Sequence, residues 1–497
     1  MSYVIGIDLG TSAVKALLVT KSGEVAAEAS RAYPLFHEHS GWSEQRPDDW
    51  VEATIEALKE LSTAQGIDPK AIEGISFSGQ MHGLVLLNGE GRPVRNAILW
   101  NDTRTTAECR EIEAVLGEDL LAITRNPALE GFTLPKILWV RKHEPEAFAE
   151  AELFVLPKDY VRYKLTGNLH MDYSDAAGTL MLDVAAKVWS VELLKAFQLP
   201  ESFCPPLVDS HDLTGTLLPD AAERTGLPAS VKVFAGGADN ACGAIGSGIL
   251  EEGLTLCSIG TSGVILSYEN DKTKDFGGKV HFFNHGKENA YYVMGVTLAA
   301  GYSLSWFKRT FAPDESYDQL LAGVGEVKPG AGGLLFTPYL VGERTPHADS
   351  SIRASFIGVD GSHERIHFAR AVMEGITFSL NESVDMFRSA GKKVDKIVSI
   401  GGGAQNPAWL QMQADIFDAE VVSLENEQGP GLGAAMLAAY GCGWFPSLEA
   451  CAELFVKHDQ KYQPNPAAVE TYKGLFRLYQ QVYANTRSLN EGLAAYR

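Results

Sequence analysis

The sequence predicts an α/β protein built from two similar domains that face each other across a cleft. Three observations carry this. Short apolar runs ending in polar, Gly-rich loops alternate with stretches whose apolar residues recur at helical spacing, as in sheets covered by helices. A hairpin motif near the start, Leu9-Gly10-Thr11-Ser12-Ala13-Val14, returns as Ile259-Gly260-Thr261-Ser262-Gly263-Val264 at the head of the second half. The length, 497 residues, suits two large domains, and the 45% hydrophobic content is enough to fill their cores.

The elements follow in order. Tyr3–Asp8 is a buried-strand pattern, the Gly-Thr-Ser turn leads to a second strand over Val14–Thr20, and Ser22-Gly23 turns the chain into Glu24–Tyr33. Together they read as an antiparallel meander. Trp50, Val51, Ile55, Leu58 and Leu61 then repeat at helical spacing behind Pro47-Asp48-Asp49, a capped helix start. Ile72–Phe77 is a short strand running into the loop Ser78-Gly79-Gln80-Met81-His82-Gly83. The Gly-rich stretch Gly246–Gly253 marks the boundary, giving domains 1–248 and 249–497. No low-complexity linker separates them, so the halves should touch. The segment Ala467–Tyr496 reads as a helix expected to pack back on the first half.

Composition narrows the function. Lys and Arg number 42 against 63 for Asp and Glu, a formal charge of −21 that repels phosphate backbones and anionic lipid. Nucleic acid and membrane surfaces are therefore excluded as partners, whereas a phosphate ligand held by local N–H groups or a metal is not. The six cysteines form no CxxC pair and no zinc-finger spacing. The run Met1-Ser2-Tyr3-Val4-Ile5-Gly6 enters a strand without a basic or long apolar leader, and no membrane-length apolar stretch follows. A reducing cytoplasm is expected. A homodimer is left open.

Three segments offer phosphate chemistry. In Gly6-Ile7-Asp8-Leu9-Gly10-Thr11-Ser12, followed by Lys15, turn N–H groups can hold phosphate oxygens. Asp8 can anchor a magnesium ion there; the plainer alternative is a tight hairpin whose Asp bonds its own turn. Phe234-Ala235-Gly236-Gly237-Ala238-Asp239-Asn240 allows close backbone approach and presents one carboxylate. Ser399-Ile400-Gly401-Gly402-Gly403-Ala404-Gln405-Asn406 places glycines between a strand and a helix through Trp409, Met412 and Ile416. Neither a GxxxxGK[ST] run nor a complete GxGxxG fingerprint occurs.

In this order and spacing the three segments resemble the superfamily of sugar kinases, actin and heat-shock ATPases. The resemblance implies two ribonuclease-H-like domains around an interdomain ATP and sugar cleft. Gly131-Phe132-Thr133-Leu134-Pro135-Lys136-Ile137-Leu138-Trp139-Val140-Arg141-Lys142-His143 is similar to the first signature of the FGGY carbohydrate kinases. Ala354–Val359 with His367–Glu374 is similar to the second. The likeness covers essentially the whole chain, and these residues read as packing and capping rather than chemistry.

That resemblance implies a division of labour. Asp239 is the expected general base, and with Asp8 it is expected to face Mg2+. Thr11, Ser12, Lys15, Gly260, Thr261, Gly301, Gly402, Gly403 and Asn406 are the expected ATP-binding residues. The position matching Asp8 in the repeat is Ser258, so a single metal centre is expected. Met81, His82, Gly83, Trp100, Asp102, Asp239 and Asn240 are the expected acceptor contacts, with the first domain binding sugar and the second nucleotide. For Trp100 and Asp102 the alternatives are a structural Trp and a local Asp102–Arg104 pair. The loop Ser-Gly-Gln-Met-His-Gly resembles that of the family's xylulose-phosphorylating members. It implies D-xylulose as acceptor, phosphorylated at the C5 hydroxyl. Ribulose, gluconate, a polyol such as glycerol or a deoxy sugar are alternatives within the family. An actin- or chaperone-like ATPase would leave the loops at 78–83 and 100–104 without a role.

Overall fold

The computed structural model describes residues 2–497, so Met1 at the head of the opening run lies outside them. The expected meander is present as strands Tyr3–Leu9, Ala13–Thr20 and Val25–Ala32, followed by helix Pro47–Ser62 and strand Ile72–Gly79. The four strands belong to a seven-stranded sheet that continues through Lys232–Phe234 to Leu213–Thr216. A second seven-stranded sheet runs His281–Asn284, Tyr291–Thr297, Gly263–Glu269, Gly253–Ile259, Val394–Gly401, Glu420–Leu424, His458–Tyr462.

The repeat seen in the sequence is thus a repeat of topology. In each sheet a strand pairs antiparallel with the next through the Gly-Thr-Ser turn and parallel with a strand far along the chain. Even an irregularity recurs: the parallel register slips between Tyr3 and Val4 against Ile72 and Gly74, and between Gly253 and Leu254 against Val394 and Lys396. The hairpins differ by one residue, with Leu9 opposite Val14 but Ile259 opposite Gly263.

Strand alternation assigns the two faces of Tyr3–Leu9. Ile5, Ile7 and Leu9 join the core under helix Pro47–Ser62 with Trp50 and Leu58, whereas Val4 packs with Leu432 and Ala435 from the second half. The element reaching across is helix Gly429–Gly441. A Cβ on Gly6 would lie 2.1 Å from the Gly431 carbonyl oxygen, so only glycine permits this approach. The same helix crosses Asp239–Gly246 in backbone contact, where a Cβ on Gly433 would meet the Cys242 oxygen at 1.9 Å.

This corrects one expectation. The terminal helix, Pro466–Leu493, packs on Pro407–Phe417 and Arg365–Ser389 of the second half. Its Tyr472 is bonded to Glu374 and Arg370, buried polar groups that need such a partner. No helix among the described residues is long and apolar enough to cross a membrane, and the cysteines are free.

Candidate active site

A cleft of about 370 Å³ is lined by Met81, His82, Trp100, Asp102, Asp239 and Asn240 from the first half and by Ser262, Val264, His281, Phe283 and Arg344 from the second. Asp239 opens helix Asp239–Gly246, immediately after Gly237–Ala238, which pairs with Ser78–Gly79. Its Oδ1 accepts from the Asn240 amide at 2.6 Å. Although its edge meets the cleft, dense surrounding protein pushes its pKa up to about 7, with the nearby Asp8 charge adding to the rise. Asp8 is itself raised by burial, partly offset by Ser78 and Lys15. The Asp8 charge that opposes ionisation of Asp239 is one that a divalent cation between them would offset.

His82 adopts φ +66°, the left-handed region, so something must hold it there. Its carbonyl accepts from Thr133 Oγ1 at 3.1 Å and Lys136 Nζ at 3.0 Å. Its Nδ1 lies 2.6 Å from the Gly178 carbonyl oxygen. Burial pulls the imidazole pKa down to about 3, so the ring is neutral. A carbonyl can only accept, so Nδ1 carries the hydrogen and Nε2 is left as an acceptor for a hydroxyl. Phe132 packs beside the ring at 4.7 Å. Met81 is buried, its sulfur accepting from the Asn240 side-chain Nδ2 at 3.4 Å. Lys136 also bonds the Gly131 carbonyl, so within the signature Thr133 and Lys136 hold the loop at His82, while Gly131 and Phe132 themselves line the cleft.

Several expected contacts are placed differently. Asp102 is buried, and its oxygens accept from the Ser43 and Arg104 amides and from Arg104 Nε and Nη2, at 2.7–3.0 Å. These four donors fill a carboxylate's acceptor capacity, so Asp102 fixes its loop through the local Arg104 pair and has nothing left for sugar hydroxyls. Gly83 is not in the lining; it packs against Pro157, where a Cβ would come within 2.7 Å. Lys15 extends to Gln428 and Glu28 instead of the phosphate turn. Trp100 stays 46% exposed in the cleft, with its indole N–H on Thr11 Oγ1 at 2.9 Å.

A second cavity, about 410 Å³, is lined by Gly260, Thr261, Gly301, Gly402 and Asn406 together with Tyr302, Tyr317 and Gln405. Gly301 must be glycine, since a Cβ would meet the Gly260 oxygen at 2.4 Å. Asn406 caps helix Pro407–Phe417 through the Trp409 amide. Gly403 lies beneath, against Ile259, and shapes the turn without lining the cavity. The turn 259–264 therefore stands between the two cavities: Gly260 and Thr261 face one, Ser262 and Val264 the other.

No sequence motif marks Arg344, His281 or Phe283, which enter the cleft from the second half. Arg344 is the cleft's one Lys or Arg side chain, and no hydrogen bond or ion pair engages its guanidinium among the described residues. Glu343 beside it anchors the loop, accepting from the Leu298 amide at 3.0 Å and Ser379 Oγ at 3.0 Å.

A pair of repeated mixed sheets, with a cleft carrying Asp239 on one side of a glycine turn and a second cavity on the other, has the architecture of a phosphoryl-transfer enzyme of the actin and hexokinase fold. Residues 3–246 match the FGGY family of carbohydrate kinases, N-terminal domain, and residues 255–442 its C-terminal domain. The chain is 62% identical over 497 residues, all of both chains, to xylulose kinase of Bacillus subtilis. It is 38% identical over 485 residues to that of Escherichia coli, covering 96% of this chain and 99% of the relative. The crystal structure of a ligand-bound xylulose kinase from Lactobacillus acidophilus superposes with TM-score 0.93 at 28% identity, over 98% and 99% of the chains. A gluconate kinase from the same organism gives 0.92 at 28%, over 98% of each. The chain belongs to the FGGY family of carbohydrate kinases, and it is an ATP-using sugar kinase.

Proposed function

We propose that this chain transfers the γ-phosphoryl group of ATP to the C5 hydroxyl of D-xylulose. The observation that carries this is the grouping, in one cleft, of Asp239 with the uncharged reader pair Met81-His82. Asp239 accepts the hydroxyl proton as the oxygen attacks phosphorus; a base with affinity near neutrality suits that task. His82 Nε2 accepts from a sugar hydroxyl, and Met81 and Phe132 wall the carbon chain. Thr261 and the turn amides hold phosphate oxygens on the far side of the hairpin. Asp8 and Asp239 are the residues that would hold Mg2+, which when bound neutralises charge on the β- and γ-phosphates. The names of the relatives support the same acceptor.

Arg344 favours a second reading, because a free guanidinium in the cleft suits a sugar acid. One experiment separates them: ATP consumption across ketoses, aldoses, polyols and aldonates. D-Xylulose should rank first, and His82→Ala should lower its kcat/KM about 10–100-fold, the worth of one or two buried hydrogen bonds. A gluconate or polyol ranked above xylulose would overturn the proposal.

A further inference from the structure

Beneath the cleft lies a buried ion cluster for which the reaction has no direct use. Lys158 Nζ sits 2.8 Å from Asp159 Oδ1, 2.7 Å from Asp172 Oδ1 and 2.8 Å from Asp175 Oδ2, and all four side chains are fully buried. The three carboxylates converge as metal ligands would. The lysine ammonium, however, is in contact with each of them and supplies the charge a cation would bring. Arg162 closes the cluster, pairing with Asp159 at 2.9 Å and donating to the Ala235 carbonyl at 2.6 Å.

The cluster's position gives it meaning. Asp172 caps the short helix Tyr173–Ala177, accepting from the Ser174 amide at 2.9 Å and from the Ser174 hydroxyl. With its proton committed to Asp172, the Ser174 oxygen accepts from the Ala238 amide at 2.9 Å. Ala238 immediately precedes Asp239. At the other end of the helix, the Gly178 carbonyl takes the Nδ1 hydrogen of His82. The base and the sugar reader come from loops far apart in sequence, yet one helical turn ties down both.

We infer that Ser174, Asp172 and the Lys158 cluster are positioning residues that hold Asp239 and His82 at a fixed separation, so the acceptor hydroxyl meets its base in one geometry. The inference rests on Asp239 being the base. Buried ions make a stiff support for this, because any displacement uncovers charge in a medium that solvates it poorly. Small misplacements of reacting groups carry rate costs near 10²-fold, so a support of this kind has a measurable consequence.

The test compares two hydroxyl deletions on the same carboxylate. Ser210 Oγ also donates to Asp172 Oδ2, at 3.0 Å, but among the described residues its hydroxyl makes no hydrogen bond to the Asp239 loop. Ser174→Ala should lower kcat for xylulose by about 10–100-fold, with the KM for ATP unchanged. Ser174→Thr, which keeps the hydroxyl, should recover most of that loss. Ser210→Ala should keep kcat within about threefold of the parent while losing comparable thermal stability. Equal kcat in both alanine variants, whether both lowered or both normal, would show the cluster to be structural support only. Asp239→Asn, measured alongside, tells the two ideas apart. If it turns over normally the base assignment fails; if it is inactive while Ser174→Ala is normal, the brace fails alone.

Discussion

The turns at residues 10–12 and 260–262 share a sequence and a topology, but they are held in different ways. The first is tied down by its own half: Tyr33 hydroxyl bonds the Gly10 carbonyl, Gln45 Nε2 the Thr11 carbonyl at 2.7 Å, and Trp100 the Thr11 hydroxyl oxygen. The second is held through its carbonyls by the amides that open helix Gly301–Phe311, Gly301 to Gly260 at 2.8 Å and Tyr302 to Thr261 at 3.1 Å. Its Thr261 and Ser262 side chains stay exposed. Ahead of the first turn stands Asp8; ahead of the second, Ser258. In the proposed reaction one copy is a tied-down wall carrying Asp8, the acid expected to face metal, and the other is an open cradle. A repeated motif therefore supplies two functions once the residues around each copy differ.

The largest effect should come from the acid wall. Asp239→Asn should reduce kcat by at least about 100-fold, within the range for loss of a general base, with nucleotide binding intact by calorimetry. Near-normal turnover would remove Asp239 from that role. The pH profile sharpens the point. A carboxylate must be ionised to accept a proton, and Asp239 is pushed up to about 7, so kcat/KM for sugar should fall as pH drops through neutrality. In Asp8→Asn one cause of the shift is gone, so in the metal-free protein the Asp239 carboxyl should titrate at lower pH, as read by carboxyl NMR.

Next in size is the cradle. Gly301→Ala puts a Cβ against the Gly260 oxygen, which must force turn and helix apart. The KM for ATP should rise about tenfold or more, the KM for sugar much less, since overpacking typically costs ~1–3 kcal/mol. The smallest effects separate the two threonines. Thr261→Val should raise the KM for ATP by about 2–10-fold and leave the sugar KM alone, the loss of a single hydrogen bond. Thr11→Val also releases Trp100, so both constants should rise. Identical responses in the two variants, read by steady-state kinetics, would erase the distinction between wall and cradle.

What could be read from the chain were features whose cause is local or repeated. The hairpins were legible because strand alternation and a Gly-Thr-Ser turn need only neighbouring residues, and a second copy doubled the signal. Helix Pro47–Ser62 was legible for the same reason, and Asp239 stood out as the one carboxylate behind glycines that allow close backbone approach, its expected role as base coming from the family resemblance. Other assignments depended on partners distant in sequence. Asp102 looked equally able to read sugar or pair with Arg104; the arrival of the Ser43 amide filled its last acceptor position. Lys15 looked like a phosphate ligand until Gln428 came within 3.1 Å. Arg344 had no motif, because it enters the cleft only when the second sheet places its loop there. The terminal helix was correctly expected as a helix, but which half it covers was settled by the buried Arg370–Glu374 pair that its Tyr472 satisfies. Periodicity and turn chemistry are properties of a short stretch of chain, whereas the satisfaction of a buried polar group is a property of everything packed around it.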